Sequence, residues 1–193
     1  MNPIQNIDIL AFPSPKDWQR WLEKNHNRLH GVWLRFYKKA SGVPSVTYDE
    51  ALDEALCYGW IDGQLKPYDA KSWLRKFTPR REKSPWSRRN IEHVQRLIKT
   101  GKMKDAGLRE VQAAKADSRW KNAYDPGSTM TMPADFLKRL SKNKKTKAFF
   151  ETLNKANTYA IAWRLQTAKK PETRDKRMKA ILTMLARGEK IHD

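Results

Sequence analysis

The stretch YGWIDGQLKPYDAKSWLRKFT, residues 58–78, decides the fold that we predict for this chain. Two runs within it, Tyr58–Leu65 and Ser72–Thr78, are rich in aromatic and branched side chains, a composition typical of β-strands. The six residues between them include Pro67 and Asp69, which favour a turn. The stretch therefore predicts an antiparallel hairpin.

The residues before the hairpin predict a third strand and two helices. Residues 32–38, VWLRFYK, have the alternation of a strand, and residues 1–13 are expected to form an extended lead-in. Residues 14–29 begin with Ser-Pro, a typical helix start, and we expect this helix to run to about residue 29. A capping box over residues 47–50 predicts the start of the second helix. The hairpin and the third strand together give a small antiparallel sheet of about three strands.

The chain after Pro79 has the periodicity of helices only. The predicted helices cover residues 87–101, 105–116, 133–141, 144–153, 155–168 and 171–187. We therefore predict the α+β class, with a small antiparallel sheet flanked by helices and an all-helical C-terminal portion. The expected division is a mixed portion, residues 1–125, and a helical portion, residues 126–193, packed on it as one compact unit.

The charge of the chain is high and unevenly distributed. Its 193 residues include 40 Lys and Arg against 21 Asp and Glu, a net charge of +19. Residues 1–70 carry 8 basic and 9 acidic side chains, and residues 71–193 carry 32 and 12. Such a surplus attracts polyanions such as nucleic acid, anionic lipid or phosphate-rich ligands. The alternative is a charge that serves solubility alone.

Several classes of protein are disfavoured by what the sequence lacks. No apolar run is long enough for a transmembrane helix, and the first residues lack the pattern of a secretory signal. The single cysteine, Cys57, and four scattered histidines predict no metal site, and no phosphate-binding loop or dinucleotide motif predicts a cofactor. We expect a soluble cytoplasmic protein, with Cys57 as a buried thiol.

The segment from Ala55 to Asn90 concentrates the residues that are candidates for a binding site. Arginine binds carboxylate and phosphate oxygens in pairs, and tryptophan offers a ring for stacking. The candidate ligand-binding residues are Trp60, Asp62, Arg80, Arg81, Trp86, Ser87 and Asn90. The alternative is structural: the tryptophans fill the core and the arginines cover its rim.

Asp62 is the candidate general base in an enzyme interpretation, in which arginines hold an anionic substrate. If Ile61 and Leu65 face the core, Trp60 and Asp62 lie together on the outer or cleft-facing side of the strand. The alternative is that Asp62 belongs to a turn or to a structural salt bridge.

Arg174 is a charged residue within the apolar stripe of the last predicted helix, four residues before Met178. Because an unpaired charge on a buried face is costly, we predict a carboxylate or several carbonyl groups beside it, or an anionic ligand. We therefore include Arg174 among the candidate anion-binding residues, with a structural ion pair as the alternative.

The chain also resembles a known family, from about Trp18 to its end. The motifs that carry the resemblance are ALCYGWIDGQ (residues 55–64), FTPRR (77–81), SPWSRRN (84–90), LIKTGKMKDAGLREVQAAKADSRW (97–120), AYDPGS (123–128) and NTYAIAWRLQTAKKPETRDKR (157–177). Together they are similar to the YdeI/OmpD-associated family of bacteriocin-protection proteins. The resemblance implies a role in antimicrobial stress and association with an outer-membrane porin; it brings no catalytic residues and no cofactor.

Two functions remain open at this point. The first is a basic protein of the bacteriocin-protection type that binds an anionic partner, such as nucleic acid or a nucleotide, through an Arg/Trp-rich site. The second is a small-molecule enzyme that uses Asp62. The missing second titratable partner for Asp62 favours the binding protein.

Overall fold

The computed structural model describes residues 7–126 and 129–192, which form one sheet and eight α-helices. These residues form two compact units. Unit 1 comprises Met1–Trp86 and Asn90–Asn122, and unit 2 comprises Ser87–Arg89 and Ala123–Asp193. The predicted α+β class and the helical C-terminal portion are confirmed. The predicted division into residues 1–125 and 126–193 stays a prediction, and the first part of the predicted lead-in lies outside the described residues.

The sheet of unit 1 has four strands, and it is mixed rather than purely antiparallel. Its strands are β1 (Ile9–Leu10), β2 (Val32–Tyr37), β3 (Trp60–Asp69) and β4 (Ser72–Pro79), in the order β1-β2-β4-β3. β1 pairs parallel to β2, and the other pairs are antiparallel. The prediction of about three strands missed β1 because two residues are too short for alternation to be visible.

The hairpin of β3 and β4 is longer than the sequence indicates. β3 continues through Pro67 to Asp69, which pairs with Ser72. A proline is tolerated there because β3 is an edge strand, where a missing backbone N–H breaks no central ladder. The register of β3 shifts between Asp62 and Leu65, which marks a bulge or a similar irregularity.

Four helices belong wholly or mostly to unit 1. They are α1 (Pro15–Asn25), α2 (Tyr48–Cys57), α3 (Arg88–Lys99) and α4 (Asp105–Ala116). The side chain of Ser14 caps α1, and the predicted capping box of Thr47 and Glu50 begins α2. α1 ends at Asn25 and not near Leu29. Leu29 is 90% exposed, so it does not extend the apolar stripe by which α1 packs on the core.

The core of unit 1 lies between α1, α2 and one face of the sheet, which we call the inner face. Trp18, Phe36, Trp60 and Phe77 are buried there, and Trp18 contacts Trp60 and Phe77 edge to face. Burial of each such side chain contributes roughly 1.5–3 kcal/mol. The indole Nε1 of Trp18 donates a hydrogen bond of 3.0 Å to the carbonyl oxygen of Ala51 and so links α1 to α2.

Ile61 and Leu65 do not face this core, so the condition under which Trp60 and Asp62 would lie on the outer or cleft-facing side is not met. Trp60 occupies the core with no exposed surface, and Leu65 is 58% exposed. Trp60 and Asp62 therefore share the inner face, which is the face that the helices cover. The side chain of Ile61 alternates onto the opposite face, which we call the outer face.

Unit 2 contains four helices around a core of its own. They are α5 (Ala134–Leu140), α6 (Lys144–Glu151), α7 (Lys155–Gln166) and α8 (Pro171–Ala186). The core consists of Phe136, Leu140, Ile161, Leu165, Met178, Ile181 and Leu185. Across the described ranges of both units, no helix is long and apolar enough to span a membrane.

Candidate functional site

A groove on the outer face of the sheet is the candidate functional site. Its volume is about 680 Å³, and β3, β4 and the loop after β4 form its walls. Its lining residues are Ile61, Gly63, Gln64, Lys76, Thr78, Pro79, Arg81, Lys83, Ser84 and Pro85. We call it the cationic groove, because the charged residues named in this lining, Lys76, Arg81 and Lys83, are all cations.

The three cations of the groove are not neutralised by carboxylates. None of the lining residues, all of which lie in the described part of the chain, is acidic. Lys76 is half-buried, Arg81 and Lys83 are exposed, and none of them forms an ion pair with a described residue. Arg81 was predicted from the sequence, but Lys76 and Lys83 were missed. Lys76 could have been found from the alternation of β4, because Lys76 and Thr78 are two residues apart and therefore lie on the same face of the strand.

The loop that carries Arg81 and Lys83 is fixed at both ends by Arg80 and Trp86. The guanidinium carbon of Arg80 lies 3.6 Å from the centre of a Trp86 ring, a close cation–π contact. Its Nη1 donates to the carbonyl oxygen of Pro85 at 3.3 Å. Both side chains are buried. Arg80 and Trp86, both predicted as site residues, therefore hold the loop in place from the protein interior. Neither of them lines the groove.

A second buried arginine, Arg119, supports the same loop and was missed by the sequence analysis. Its Nη1 donates a hydrogen bond of 3.1 Å to the carbonyl oxygen of Ser84, which lines the groove. Its Nε forms a 2.6 Å ion pair with Asp117. Only 3% of its side chain is exposed. Arg119 lies in a loop after α4, where hydrophobic periodicity does not apply. The sequence pattern therefore does not predict that its side chain is buried.

Asp62 lies away from the groove, in a polar network on the inner face. Its carboxylate forms a 2.7 Å ion pair with Arg75 and accepts a 2.9 Å hydrogen bond from the hydroxyl of Tyr48. Burial, with the Asp62 charge as a second cause, raises the pKa of Tyr48. The structural salt bridge is thus present, and the role of Asp62 as a general base stays a prediction.

The other predicted residues of unit 1 are buried. Trp60 has no exposed surface, and its Nε1 donates a 2.8 Å hydrogen bond to the carbonyl oxygen of His26. Asn90 is 8% exposed in α3. Ser87 belongs to unit 2; it is 7% exposed and forms an isolated parallel β-bridge with Tyr124. None of these three residues lines the cationic groove.

Arg174 belongs to unit 2 and has the carboxylate partner that its position predicts. Its guanidinium forms a two-pronged ion pair with Asp135, in which Nη2 lies 2.8 Å from Oδ1. Hydrogen bonding from Arg174 is the main cause that lowers the pKa of Asp135. The pair joins α8 to α5, and its proposed role in anion binding stays a prediction.

The described residues include one free cysteine, Cys57, which is buried. Burial raises the pKa of the Cys57 thiol to about 12, so the thiolate required of a nucleophile is rare at neutral pH. Within residues 7–126 and 129–192, no group of three or more His, Cys, Asp and Glu side chains is arranged to hold a metal ion.

The fold and site define a class: an α+β protein that carries a cationic groove on one face of its sheet. The chain belongs to the family described as a domain of unknown function (DUF8412), whose model matches residues 10–110. That range includes all residues of the groove. Residues 129–188 match the family described as bacteriocin-protection, YdeI or OmpD-associated, which confirms the predicted resemblance for this part of unit 2. No curated protein and no solved structure matches the chain.

Proposed function

We propose that this chain is a basic cytoplasmic protein of the bacteriocin-protection type that binds an anionic partner in the cationic groove. The observation that carries the proposal is the set of Lys76, Arg81 and Lys83 around one concavity without an acidic neighbour in its lining. Cations that are already paired gain little from an incoming anion, whereas these three form no ion pair with a described residue. The buried supports Arg80 and Arg119 hold the loop in place before a ligand arrives, which reduces the entropic cost of binding.

The family description and the charge distribution support the same function. The match of residues 129–188 to a bacteriocin-protection family suggests a role in antimicrobial stress. The surplus of positive charge in residues 71–193 raises the local concentration of polyanions around the chain. Long-range attraction and a local site thus favour the same class of partner.

Binding of inorganic polyphosphate to the full chain tests this function without assuming a particular partner. The informative variant is the triple substitution Lys76→Gln, Arg81→Gln and Lys83→Gln. Each phosphate contact on a single-stranded polyanion contributes about −0.7 to the slope of log K against log salt. We expect calorimetric titrations between about 50 and 200 mM salt to show weaker binding by the variant than by the wild type. The slope of log K against log salt should be smaller in magnitude by about 2.

The matched control is the triple substitution Lys16→Gln, Lys24→Gln and Lys99→Gln. It removes the same charge from exposed or half-exposed positions of unit 1 that do not line the groove. The control should retain the wild-type salt slope. Equal losses in the two triple variants would show a general charge effect and would overturn the proposal of a site.

A further inference from the structure

The outer face of the sheet continues beyond the cationic groove as a surface of aromatic and basic side chains. In the register of β2 and β4, Trp33 lies opposite Lys76, which is part of the groove lining. Arg35 and Tyr37 follow Trp33 on the same face, because alternate residues of a strand share a face. Lys66 and Tyr68 of β3 complete this surface, which we call the aromatic face: Trp33, Arg35, Tyr37, Lys66 and Tyr68.

The members of the aromatic face contact one another through cations and rings. The Nζ of Lys66 lies 4.2 Å from the centre of the Trp33 ring. The guanidinium carbon of Arg35 lies 4.4 Å from the Tyr37 ring and 4.8 Å from the Tyr68 ring. The contacts of Lys66 and Arg35 both bridge β2 and β3 across β4. Each of the three rings therefore has a cation over one of its faces, the arrangement of a cation–π contact.

The aromatic face is partly exposed, and one of its two cations is paired with a carboxylate. Tyr68 is 49% exposed, and Trp33 and Tyr37 are half-buried. The acidic neighbour is Asp69, which forms a 2.6 Å ion pair with Arg35. The cations Lys66, Lys76, Arg81 and Lys83 have no such partner among the described residues.

We propose that single-stranded nucleic acid binds across the outer face, with bases stacked on Trp33 and Tyr68 and the phosphates held in the cationic groove. The proposal rests on the proposed function and names its partner. Aromatic rings interleaved with cations on a sheet are the features that bind single strands, since bases stack on the rings and phosphates pair with the cations. A duplex cannot use the rings, because its bases are already stacked on one another.

The geometry also assigns a role to Lys66. In the free protein its ammonium group covers the Trp33 ring. A base that stacks on Trp33 displaces this ammonium group, which then pairs with the adjacent phosphate. The exchange needs only rotation within one flexible side chain, so the backbone of the strand stays in place.

The test compares a single-stranded oligothymidine of about 15 nucleotides with a duplex of equal length and with polyphosphate. Fluorescence anisotropy of the labelled oligonucleotides on the full chain gives the affinities. We expect the single strand to bind more tightly than the duplex, and Trp33→Leu to weaken single-strand binding by about tenfold while polyphosphate binding stays unchanged. Tyr68→Leu should act in the same direction and, because Tyr68 is exposed, without loss of folding.

The matched control is Trp73→Leu, which removes an indole from β4 on the inner face of the same sheet. It should leave single-strand affinity unchanged. Equal affinity for single strand and duplex, or full single-strand affinity in both Trp33→Leu and Tyr68→Leu, would overturn this inference while polyphosphate binding still supports the groove. Absence of binding by polyphosphate as well would overturn both proposals.

Discussion

Among single residues, Asp62 is where a structural and a catalytic role make opposite predictions. Its side chain is 15% exposed and that of Arg75 is 22% exposed, so the ion pair is well shielded from water. The Nε of Arg75 is buried and has no hydrogen-bond partner among the described residues. Asp62 is the carboxylate partner of this guanidinium, which also donates a hydrogen bond of 3.3 Å to the Tyr48 hydroxyl and lies 5.0 Å from the centre of the Tyr48 ring.

We predict that Asp62→Asn lowers the free energy of unfolding by about 2 kcal/mol, between the values typical of exposed and of buried pairs. The substitution keeps the shape of the side chain but leaves the charge of Arg75 without its counter-ion. Urea denaturation measures the change. Tyr48→Phe keeps the ion pair and removes two hydrogen bonds, the one that the hydroxyl donates to Asp62 and the one that it accepts from Arg75. It should cost about 1–2 kcal/mol. An Asp62→Asn variant as stable as the wild type would contradict the structural role.

The face on which Trp60 lies could not be predicted from alternation alone. Alternation places Ile61 and Leu65 together, but the register shift after Asp62 breaks the period of two. Leu65 consequently pairs with Arg75, a residue of the inner face, although it lies beyond the apolar core and is exposed. A bulge depends on the partner strand, and a single strand's sequence does not reveal it.

At the scale of elements, the packing of α4 against the end of α2 depends on Gly107. A Cβ atom at this position would lie 2.4 Å from the carbonyl oxygen of Cys57 and 2.6 Å from that of Leu56. Both atoms belong to the backbone, so the clash cannot be relieved by rotation of a side chain. The two helices must move apart to admit a methyl group.

We predict that Gly107→Ala lowers the free energy of unfolding by about 3 kcal/mol, at the upper end of typical overpacking costs. Thermal and chemical denaturation measure the loss. Gly63→Ala is the matched control, because a Cβ there would meet its nearest neighbour at 3.6 Å, an ordinary contact. Similar losses at the two positions would show that the close approach of α4 to α2 is not the cause.

The link between α5 and α8 gives a prediction for pH. Because Arg174 lowers the pKa of Asp135 in the folded state, the pair stabilises the fold above the ordinary aspartate pKa of about 3.9. This contribution is lost as the pH falls through the folded-state pKa. Asp135 is 51% exposed, so we expect solvent screening to keep the effect below about 1 kcal/mol.

Asp135→Asn should therefore melt below the wild type at pH 7, and the difference should disappear in strong acid. Arg174→Met removes the same pair from its other side and should follow the same course. Melting curves at several pH values measure both variants. A difference that stays constant down to strong acid would contradict the ion pair as the source of the effect.

The helices were predicted more accurately than the strands because their signals are local. The Ser14 cap and the Thr47–Glu50 capping box are read within four residues, and the structure shows both. α4 has the predicted bounds, Asp105–Ala116. By contrast, β1 exists only through its pairing with Trp33 and Leu34, residues far along the chain. The groove depends on how β3, β4 and the loop after β4 come together, and only Arg81 of its three cations was predicted.

For the whole molecule, the net charge of +19 should be visible in thermal stability. A ligand that binds only the folded state raises the melting temperature, and so saturating polyphosphate should do so at low salt. At about 1 M salt, where the Debye length is about 3 Å, the rise should vanish. Differential scanning fluorimetry measures both conditions. A rise that survives high salt would indicate binding that does not depend on charge, contrary to the proposed function.

The two rims of the sheet have a consequence for the protein at high concentration. Unpaired strand edges recruit strands from other molecules and so promote aggregation. One rim of this sheet is only the two residues of β1, and the other, β3, contains Pro67, which offers no N–H group to an incoming strand. The short β1 and the proline in β3 thus disfavour intermolecular β-pairing along a sheet that carries tryptophan and tyrosine rings on one face.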